Sequence, residues 1–473
     1  MTAARTNVRR AADVLPTDWL RGEIAVIGLA RSGVSVARLL ARAGTQVYAS
    51  DAAESPDVHA AADELRLDGI AVDEGKHDLA RIARSSLVVT SPGVPPAAPP
   101  LAAARASSVP VVSEIEVALR FLAGVDYIAI TGTNGKTTTT ALTGRLIEAL
   151  EQRVQTAGNI GTPLSEVALS PSPPDWVALE ISSFQLHDAP SIAPRVGVLT
   201  NLSPNHLDRY ESVEEYYGDK AQLFRNATAG SIWVTNGDDP DVESMVAAVP
   251  GRHCRFSLDR RADAWLDRAS GSLVVLEKTL MRRDELPLLG DHNVANALAA
   301  AAAVMAAHPD HRADEAVERL ASALRGARAL EHRIEPVAEV DGVLWINDSK
   351  STNVSSTLVA LQGMTRPTVL LLGGRHKGEP YTRLAPELAR TVRSVIAFGE
   401  AAPLVESDLT EVVPLERLGS SFDDVVALAR RLARPGDAVL LSPACSSYDM
   451  FDNYEHRGAE FKRLARAGEV RSA

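Results

Sequence analysis

The stretch YIAITGTNGKTTTTALTG, residues 127–144, has the composition of a phosphate-binding loop. An apolar run leads into a small-residue turn and then a helix start, which places backbone N–H groups at the positive end of a helix dipole. Gly132 and Gly135 allow close approach of the backbone to phosphate. Lys136 supplies a charge for the β- and γ-phosphates, and the hydroxyl of Thr137 suits Mg²⁺. The stretch therefore predicts a bound nucleoside triphosphate.

The loop departs from the usual phosphate-loop pattern, because Ile130 stands where that pattern has its first glycine. On the pattern alone, a Gly/Thr-rich loop that merely starts a helix remains an alternative. Lys136 argues against it, because the helix dipole disfavours a cation in the first helical turn.

Two further groups with metal and phosphate chemistry follow predicted strands. Glu180 lies near the C-terminal end of the strand in WVALEISSFQL, and His206 lies just beyond the strand in VLTNLSPNHLDRY. The carboxyl ends of parallel strands and the phosphate loop open on one edge of a sheet, where ligands bind. A carboxylate and an imidazole there predict a metal–phosphate site. Taken singly, each could equally be a surface carboxylate or a loop histidine.

Lys220 occupies an unusual position for a cation. In SVEEYYGDKAQLF the apolar residues Val213, Tyr217 and Phe224 recur at helical spacing, and Lys220 falls on the same stripe. An ammonium group there must snorkel to water, pair with an anion or lose its charge. A neutral amine can react with CO₂ to give a carbamate, which is a metal-binding anion. The sequence leaves snorkelling and carbamylation both open.

A second phosphate-binding pattern lies near the start of the chain. GLARSG, with Gly28 and Gly33, follows a predicted strand and opens a helix, and Asp51 ends the next strand. This is close to the dinucleotide fingerprint, with Ala30 in place of the second glycine. Alone it suggests NAD or FAD, but any pyrophosphate at a helix N-terminus would use the same groups.

Strands alternate with helices along the chain, which predicts an α/β fold of three domains built on parallel sheets. We expect an extension over residues 1–18, a Rossmann-like domain over 19–124, a central P-loop-type domain over 125–327 and a Rossmann-like domain over 328–473. The extension is predicted to be loose and has no signal-peptide core. The predicted strands are Glu23–Ala30, Thr45–Asp51, Leu87–Thr90, Tyr127–Ile130, Trp176–Ile181, Arg195–Thr200, Val343–Asn347, Thr368–Gly373, Ser394–Phe398 and Asp437–Ser442, and a helix is predicted over 293–307.

Composition excludes several classes of protein. The 473 residues are 45% hydrophobic and carry a net charge of −12 without a basic patch, which disfavours nucleic-acid binding. No apolar run approaches the ~18 residues of a membrane span. Two cysteines cannot form a disulfide framework, which fits the cytoplasm.

Together these patterns resemble the Mur ligase family, cytoplasmic enzymes that build the peptide stem of peptidoglycan. The resemblance covers the chain from about Ile24 to Leu464, and TGTNGKTTT is that family's variant of the phosphate loop. Its other motifs here are GLARSG, SPGV, AGNIGTPL, LEISSFQL, NHLDRY, GDHNVANALAA, LEHRIE, INDSKSTN, LLGGRHKG and LSPACSSYDMFDNYEHRG.

Within the family, the resemblance implies an ATP-dependent ligase that adds D-glutamate to UDP-N-acetylmuramoyl-L-alanine through an acyl phosphate, acting as a monomer with two Mg²⁺ ions and a carbamylated Lys220. It implies catalytic roles for Lys136, His206, Lys220 and Lys350, and metal binding by Thr137, Glu180, His206 and Lys220. It implies ATP binding by Gly132, Thr133, Asn134, Gly135, Lys136, Thr137, Thr138, Asn293, Asn296, Arg333 and Asp348. It implies UDP-substrate binding by Gly28, Leu29, Ala30, Arg31, Ser32, Asp51, Ser91, Asn159 and Ser182. It implies D-glutamate binding by Thr352, Lys377, Ser447 and Tyr454, the last a position where relatives often carry Phe.

Three alternative functions, and simpler roles for some single residues, remain open at this point. Another branch of the family, or a folylpolyglutamate synthase, would share the central domain. An NAD(P)-dependent oxidoreductase would use GLARSG but leaves Lys136 and Lys220 unexplained. A regulator could bind the nucleotide without catalysis. Among single residues, Asp348 and Ser349 could simply cap a helix, and Arg333 could be a surface cation.

Overall fold

The computed structural model describes residues 8–206, 209–419 and 421–467 and contains three α/β sheets. The first sheet is parallel throughout, with strand order β3-β2-β1-β4-β5. Its strands are β1 Ile24–Ile27, β2 Val47–Asp51, β3 Ala71–Glu74, β4 Leu87–Thr90 and β5 Val111–Ser113, and its helices are α1 Ala11–Val14, α2 Arg31–Arg42, α3 Pro56–Leu67, α4 Leu79–Ile82, α5 Pro99–Ala106 and α6 Glu114–Phe121.

The turn between β1 and α2 requires glycine for close packing. A Cβ atom on Gly33 would lie 1.8 Å from the carbonyl oxygen of Gly28, so any side chain there would push the helix off the strand. The predicted strand–turn–helix over GLARSG is confirmed.

The described part of the N-terminal segment is packed, so the prediction of a loose extension is wrong for residues 8–18. Ala11 and Leu15 are buried in the same core as the first sheet, and the N–H of Ala11 donates to the carbonyl of Ala43. Ala11 begins the helical turn α1, and Leu15, four residues on, directly follows it and packs into the same core. Residues 1–7 lie outside the described residues.

The second sheet has the order β14-β13-β12-β11-β10-β9-β6-β8-β7. It is parallel from β7 to β12, and β13 and β14 are antiparallel additions. Its strands are β6 Asp126–Thr131, β7 Val154–Gly158, β8 Trp176–Glu180, β9 Val196–Leu199, β10 Ile232–Asn236, β11 Arg252–Ser257, β12 Ala264–Asp267, β13 Ser272–Val275 and β14 Lys278–Arg282. The helices are α7 Lys136–Ala149, α8 Leu164–Ala168, α9 Ser183–His187, α10 Val213–Ala221, α11 Pro240–Val246, α12 Asp291–Ala307 and α13 Asp314–Arg325.

The third sheet has the order β15-β16-β20-β17-β18-β19, parallel except for the edge strand β15. Its strands are β15 Glu335–Val340, β16 Val343–Asn347, β17 Thr368–Gly373, β18 Val392–Phe398, β19 Leu415–Arg417 and β20 Ala438–Leu441, and its helices are α14 Val354–Gln362, α15 Ala385–Thr391, α16 Ala402–Leu409, α17 Phe422–Leu432 and α18 Tyr454–Arg466. Short 3₁₀ turns are Thr17–Leu20, Gln222–Phe224, Arg283–Glu285, Pro309–Arg312 and Tyr381–Leu384.

The chain forms two compact units. One contains the first two sheets, and the other contains Leu286–Val294 and the chain from Gly326 onward. The predicted three-domain α/β class and the predicted strands are confirmed, with ends shifted by a few residues. Among the described residues, every helix is too short or too polar to span a lipid bilayer.

The hairpin of β13 and β14 escaped prediction. Its two-residue loop, Leu276-Glu277, has φ values of 47° and 69°, the conformation that hairpin turns usually fill with Asn-Gly. Without those residues the sequence carries no turn signal.

Candidate active site

The phosphate loop runs from the end of β6 to the start of α7, and its shape depends on two glycines. Gly132 has a φ of 143° and Gly135 a φ of 80°. A Cβ atom would lie 2.0 Å from Oγ1 of Thr200 at the first position and 2.4 Å from Oδ1 of Asn296 at the second. Both positions therefore exclude side chains, as the sequence pattern predicts.

The loop is braced by the end of the neighbouring strand β9. The N–H of Asn134 donates to Oδ1 of Asn201 (2.9 Å), and the carbonyl of Asn134 accepts from Oγ1 of Thr200 (2.7 Å) and from Nδ2 of Asn201 (3.0 Å). The hydroxyl of Thr133 donates to the carbonyl of Ser203 (3.1 Å). These bonds fix the loop before any ligand arrives. Thr200 and Asn201 were missed as contributors, because their role appears only when β9 is placed beside β6.

Lys136 folds back over its own loop. Its Nζ donates to the carbonyls of Gly132 (3.0 Å) and Thr133 (2.7 Å). Thr137 and Thr138 follow in the first turn of α7 and are half-buried. Thr139 donates its hydroxyl to Oδ1 of Asn296 (3.2 Å), so Asn296 also supports the start of α7.

Lys220 is buried in α10, with a relative exposure of 1%. Its Nζ donates to the carbonyl of Gly132 (2.8 Å) and lies 4.6 Å from the ring centroid of Tyr216. Burial, and then the charge of Lys136, lower the pKa of Lys220 well below its usual value. Snorkelling is therefore excluded, and the amine is driven toward its neutral form.

The buried face of α10 carries Tyr216 where the predicted apolar stripe had Tyr217. Tyr216 and Lys220, one helical turn apart, are buried, whereas Val213 and Tyr217 are only half-buried. The helix begins after Ser212, whose hydroxyl accepts from the N–H of Glu215. The prediction that Lys220 lies on the inner face is confirmed.

Glu180 ends β8 and is 2% exposed. Its Oε1 accepts from Nδ2 of Asn159 (2.9 Å), whereas its Oε2 is buried and accepts no hydrogen bond. A buried carboxylate oxygen without a donor is costly unless a cation reaches it, so Glu180 fits a Mg²⁺ ligand.

His206 is exposed at the end of its loop, with a φ of 56°, and its ring centroid lies 5.4 Å from that of Phe184 and 6.0 Å from that of Tyr216. Leu207 and Asp208 of the NHLDRY motif lie outside the described residues. No group of three or more His, Cys, Asp or Glu residues could hold a metal among the residues that the structure describes. A metal bound here would need oxygen ligands of other kinds, such as a hydroxyl or a carbamate.

The first sheet and the loop after β7 line a cavity of about 800 Å³. Seven of the nine predicted UDP-substrate residues line it, namely Gly28, Ala30, Arg31, Ser32, Asp51, Ser91 and Asn159.

The other two residues have different places. Leu29 is buried and donates its N–H to Oδ2 of Asp51 (2.8 Å), and the hydroxyl of Ser182 caps α9 in a capping box with Gln185. His77 also lines the cavity, with Nδ1 2.9 Å from Oγ of Ser50, and no sequence signal indicated it.

In the C-terminal domain, four of the residues predicted around the amino acid form two pairs. Nζ of Lys350 donates to the hydroxyl of Tyr454 (3.0 Å), and Nζ of Lys377 donates to Oγ1 of Thr352 (3.2 Å). Ser447 follows β20 and is buried.

Asp348 lies inside this region and is 4% exposed. Its carboxylate accepts from the N–H of Ile334 (3.2 Å) and from the hydroxyls of Ser351 (2.5 Å) and Ser442 (2.8 Å). Burial raises the pKa of Asp348 to about 6. The alternative in which Asp348 caps a helix is wrong, because the side chain of Asn353 caps α14.

Arg333 lies between two residues with left-handed backbone conformations, His332 with a φ of 63° and Ile334 with a φ of 42°. A β-branched residue in this region is strained, so the surrounding contacts must hold the loop in place. Asn293 donates its Nδ2 to the carbonyl of Leu289 (2.8 Å).

Family models match each of the three sheets. They are the Mur ligase MurD-like N-terminal domain over residues 22–113, the Mur ligase middle domain over 130–304 and the Mur ligase glutamate ligase domain over 332–445. The chain belongs to the Mur ligase family.

Two relatives carry the same name, UDP-N-acetylmuramoylalanine–D-glutamate ligase. The protein of Acidobacterium capsulatum is 39% identical over 455 residues, 95% of this chain and 97% of the relative. That of Salinibacter ruber is 40% identical over 464 residues, 95% of this chain and 98% of the relative. Among solved structures, the MurF ligase of Thermotoga maritima in complex with ADP has a TM-score of 0.58 at 16% identity and covers 100% of this chain and 98% of its own, a likeness of fold.

Proposed function

We propose that this chain is an ATP-dependent ligase that adds D-glutamate to UDP-N-acetylmuramoyl-L-alanine, a cytoplasmic step of peptidoglycan synthesis. The observation that carries this proposal is the identity of about 40% over nearly the full chain to relatives named for that reaction. The geometry of the phosphate loop and its buried lysine supports the same conclusion.

We propose that each domain is the main binding site of one substrate, and that the C-terminal domain also contributes contacts to the nucleotide. Residues 19–124, with the cavity beside Gly28 and Asp51, would hold the uridine diphosphate end of the acceptor. Residues 125–327 would hold ATP on the loop from Gly132 to Thr138, with Asn296 beneath it. Residues 328–473 would hold D-glutamate at Thr352, Lys377, Ser447 and Tyr454, and Asn293, Arg333 and Asp348 would contact the nucleotide.

The chemistry follows from the weak electrophilicity of a carboxylate. A carboxylate oxygen of the acceptor attacks the γ-phosphorus of ATP, and ADP leaves. The amine of D-glutamate then attacks the acyl carbon of the acyl phosphate, loses a proton, and expels inorganic phosphate. The protein mainly positions anions and neutralises charge in such a reaction. Lys136 would stabilise the transferred phosphoryl group, and Lys350 would lie beside both D-glutamate and the reacting carboxylate and orient them.

We propose that the region around Glu180 holds Mg²⁺. The unpartnered Oε2 of Glu180, the hydroxyl of Thr137 and the imidazole of His206 would be ligands, and bound Mg²⁺ would neutralise phosphate charge. The neutral amine of Lys220 would add CO₂ and release a proton, forming a carbamate whose oxygens can bind a second ion. This step explains why an amine is buried where the Gly132 carbonyl is its only described hydrogen-bond acceptor.

An ADP-release assay tests the function. With ATP and UDP-N-acetylmuramoyl-L-alanine, we expect sustained ADP release only when D-glutamate is added, and no release with L-glutamate, L-alanine or diaminopimelate. Another amino acid that drives release better would move the chain to another branch of the family. Nicotinamide turnover without ADP release would indicate an oxidoreductase instead. Light scattering of the same preparation would test our proposal that the protein is a monomer.

A further inference from the structure

Arg457 is a buried arginine in the first turns of α18, with a relative exposure of 0%. Its guanidinium makes four hydrogen bonds. Nε donates to Oγ of Ser349 (3.0 Å), Nη2 donates to the carbonyls of Ser349 (2.9 Å) and Cys445 (3.1 Å), and Nη1 donates to the carbonyl of Ser446 (3.4 Å). All of these acceptors are neutral, so the hydrogen bonds do not cancel the charge.

A buried cation that bonds only to neutral groups is costly, and an apolar side chain of similar volume would usually be at least as stable. Burial lowers the pKa of Arg457 to about 10, so the group remains charged at neutral pH. A purely architectural role does not require that charge.

The acceptors belong to two loops at the carboxyl ends of neighbouring strands. Ser349 follows β16 and precedes Lys350, and Ser446 follows β20 and precedes Ser447. The guanidinium therefore joins the backbones of two loops that each carry a proposed ligand of the amino acid.

A third loop depends on the same centre. The carbonyl of Ser446, which accepts from Arg457, also accepts from the N–H of Arg375 (2.9 Å) in the loop after β17, where Lys377 lies. A Cβ atom on Gly374 would lie 3.2 Å from Nη1 of Arg457 and 2.4 Å from the carbonyl of Ser446, so this loop passes directly over the guanidinium.

We propose that Arg457 is the positioning residue of the amino-acid site: it fixes the loops carrying Lys350, Lys377 and Ser447, and its charge beneath them favours a dicarboxylic amino acid. The proposal deepens the proposed function and rests on it. Arg457 need not touch the substrate, because it acts through the loop backbones. Guanidinium geometry suits this task, since its planar fork can bond several carbonyls at once, which an ammonium cannot do from one position.

The test compares three variants of the full-length protein. Arg457→Met keeps the apolar length of the side chain and removes the charge and the donors, and Arg457→Lys keeps the charge but loses the fork. Arg463→Met is the matched control, because Arg463 lies on the same helix, is exposed, and bonds to Glu460. The KM values for D-glutamate, ATP and the UDP-substrate are measured together with kcat and the melting temperature.

We expect Arg457→Met to raise the KM for D-glutamate by about tenfold to a hundredfold, the usual effect of losing a group that orients ligands. The KM values for ATP and the UDP-substrate should stay within about twofold, Arg457→Lys should be intermediate, and Arg463→Met should match the wild type.

An unchanged KM for D-glutamate in a folded Arg457→Met variant would overturn the proposal. So would equal losses for all three substrates with a lowered melting temperature in both Arg457 variants, since that pattern indicates a general packing role. If the wild type itself shows no D-glutamate-dependent ADP release, the proposed function fails first, and this inference fails with it.

Discussion

Lys220 and Arg457 are both buried basic residues on helices, one in the central domain and one in the C-terminal domain, and both donate to backbone carbonyls. Their surroundings differ in one respect. Lys220 makes a single hydrogen bond, to Gly132, whereas Arg457 makes four that engage Nε, Nη1 and Nη2.

The chemical outcome differs because the two groups respond differently to desolvation. An ammonium gives up its proton readily when buried, whereas a guanidinium stays charged. Burial with one hydrogen-bond partner therefore favours a neutral amine, and burial with four of the five guanidinium donors bonded keeps a fixed charge, which we propose organises the loops. The same degree of burial can therefore favour a reactive neutral amine at one site and a charged group that positions loops at the other.

Replacing Lys220 should give the largest effect. We expect Lys220→Ala and Lys220→Arg each to lower kcat by about 10²–10³-fold, because neither side chain can form the carbamate that would hold the second Mg²⁺ ion, whose charge would neutralise phosphate. The arginine variant sharpens the comparison, since it supplies a permanent charge where a neutral amine is needed. The measurement is ADP release at saturating substrates.

The control for this prediction is Lys278→Ala, because the side chain of Lys278 is 42% exposed and pairs only with Asp314 among the described residues. A small carboxylate such as acetate should partly restore Lys220→Ala, which has space for it, but not Lys220→Arg. Wild-type activity in both Lys220 variants would remove the carbamate role and leave Lys220 as a packing residue.

Glu114, in the first domain, is a buried acid whose pKa burial also shifts. Glu114 is 1% exposed, and its Oε1 accepts from the N–H of Ser165 (2.5 Å), whereas its Oε2 has no hydrogen-bond partner. Burial raises the pKa of Glu114 to about 7 from its usual 4.5. The folded state thus holds a proton that the unfolded state has lost between these pH values, and stability falls as the pH rises through that range.

Glu114→Gln should remove this pH dependence. Between pH 5 and pH 8, the wild type should lose about 2–3 kcal/mol more of its free energy of unfolding than the variant does, because folding raises the pKa of Glu114 from 4.5 to about 7. Urea denaturation at the two pH values measures the difference. The same pH dependence in both proteins would show that Glu114 keeps an ordinary pKa. Its carboxylate would then be stabilised enough to compensate for the loss of water, in contrast to the amine of Lys220.

The site residues that could be predicted from the sequence are those whose roles are indicated by the residues next to them in the chain. Gly132 and Gly135 stand at the spacing of a phosphate loop. Glu180 ends one apolar strand and Asp348 follows another, and the apolar composition of both strands predicts that they are buried. Lys220 was found because a cation interrupts an apolar period, although its buried neighbour is Tyr216 rather than Tyr217.

Arg457 was missed for the opposite reason. It lies in YEHRGAEFKRLAR, a helix rich in charge, where an arginine resembles any solvated cation. Its burial comes from loops that follow three different strands, which are more than 80 residues away in two cases, so only tertiary structure reveals it. Thr200, Asn201 and His77 were missed likewise, because their contacts depend on which strands are neighbours.

Tyr454→Phe should give the smallest effect and separates the ring from the hydroxyl at the amino-acid site. Nζ of Lys350 lies 3.0 Å from the hydroxyl and 4.9 Å from the ring centroid, so the variant loses one hydrogen bond but keeps the cation–π contact. We expect the KM for D-glutamate to rise about threefold to tenfold, the equivalent of about 1 kcal/mol. Lys350→Met provides the upper limit, since it removes both contacts and the charge. If Tyr454→Phe raised the KM for D-glutamate as much as Arg457→Met, the Tyr454 hydroxyl rather than the buried guanidinium would be holding Lys350 in place. The contrast between a reactive amine at Lys220 and a positioning guanidinium at Arg457 would then no longer hold.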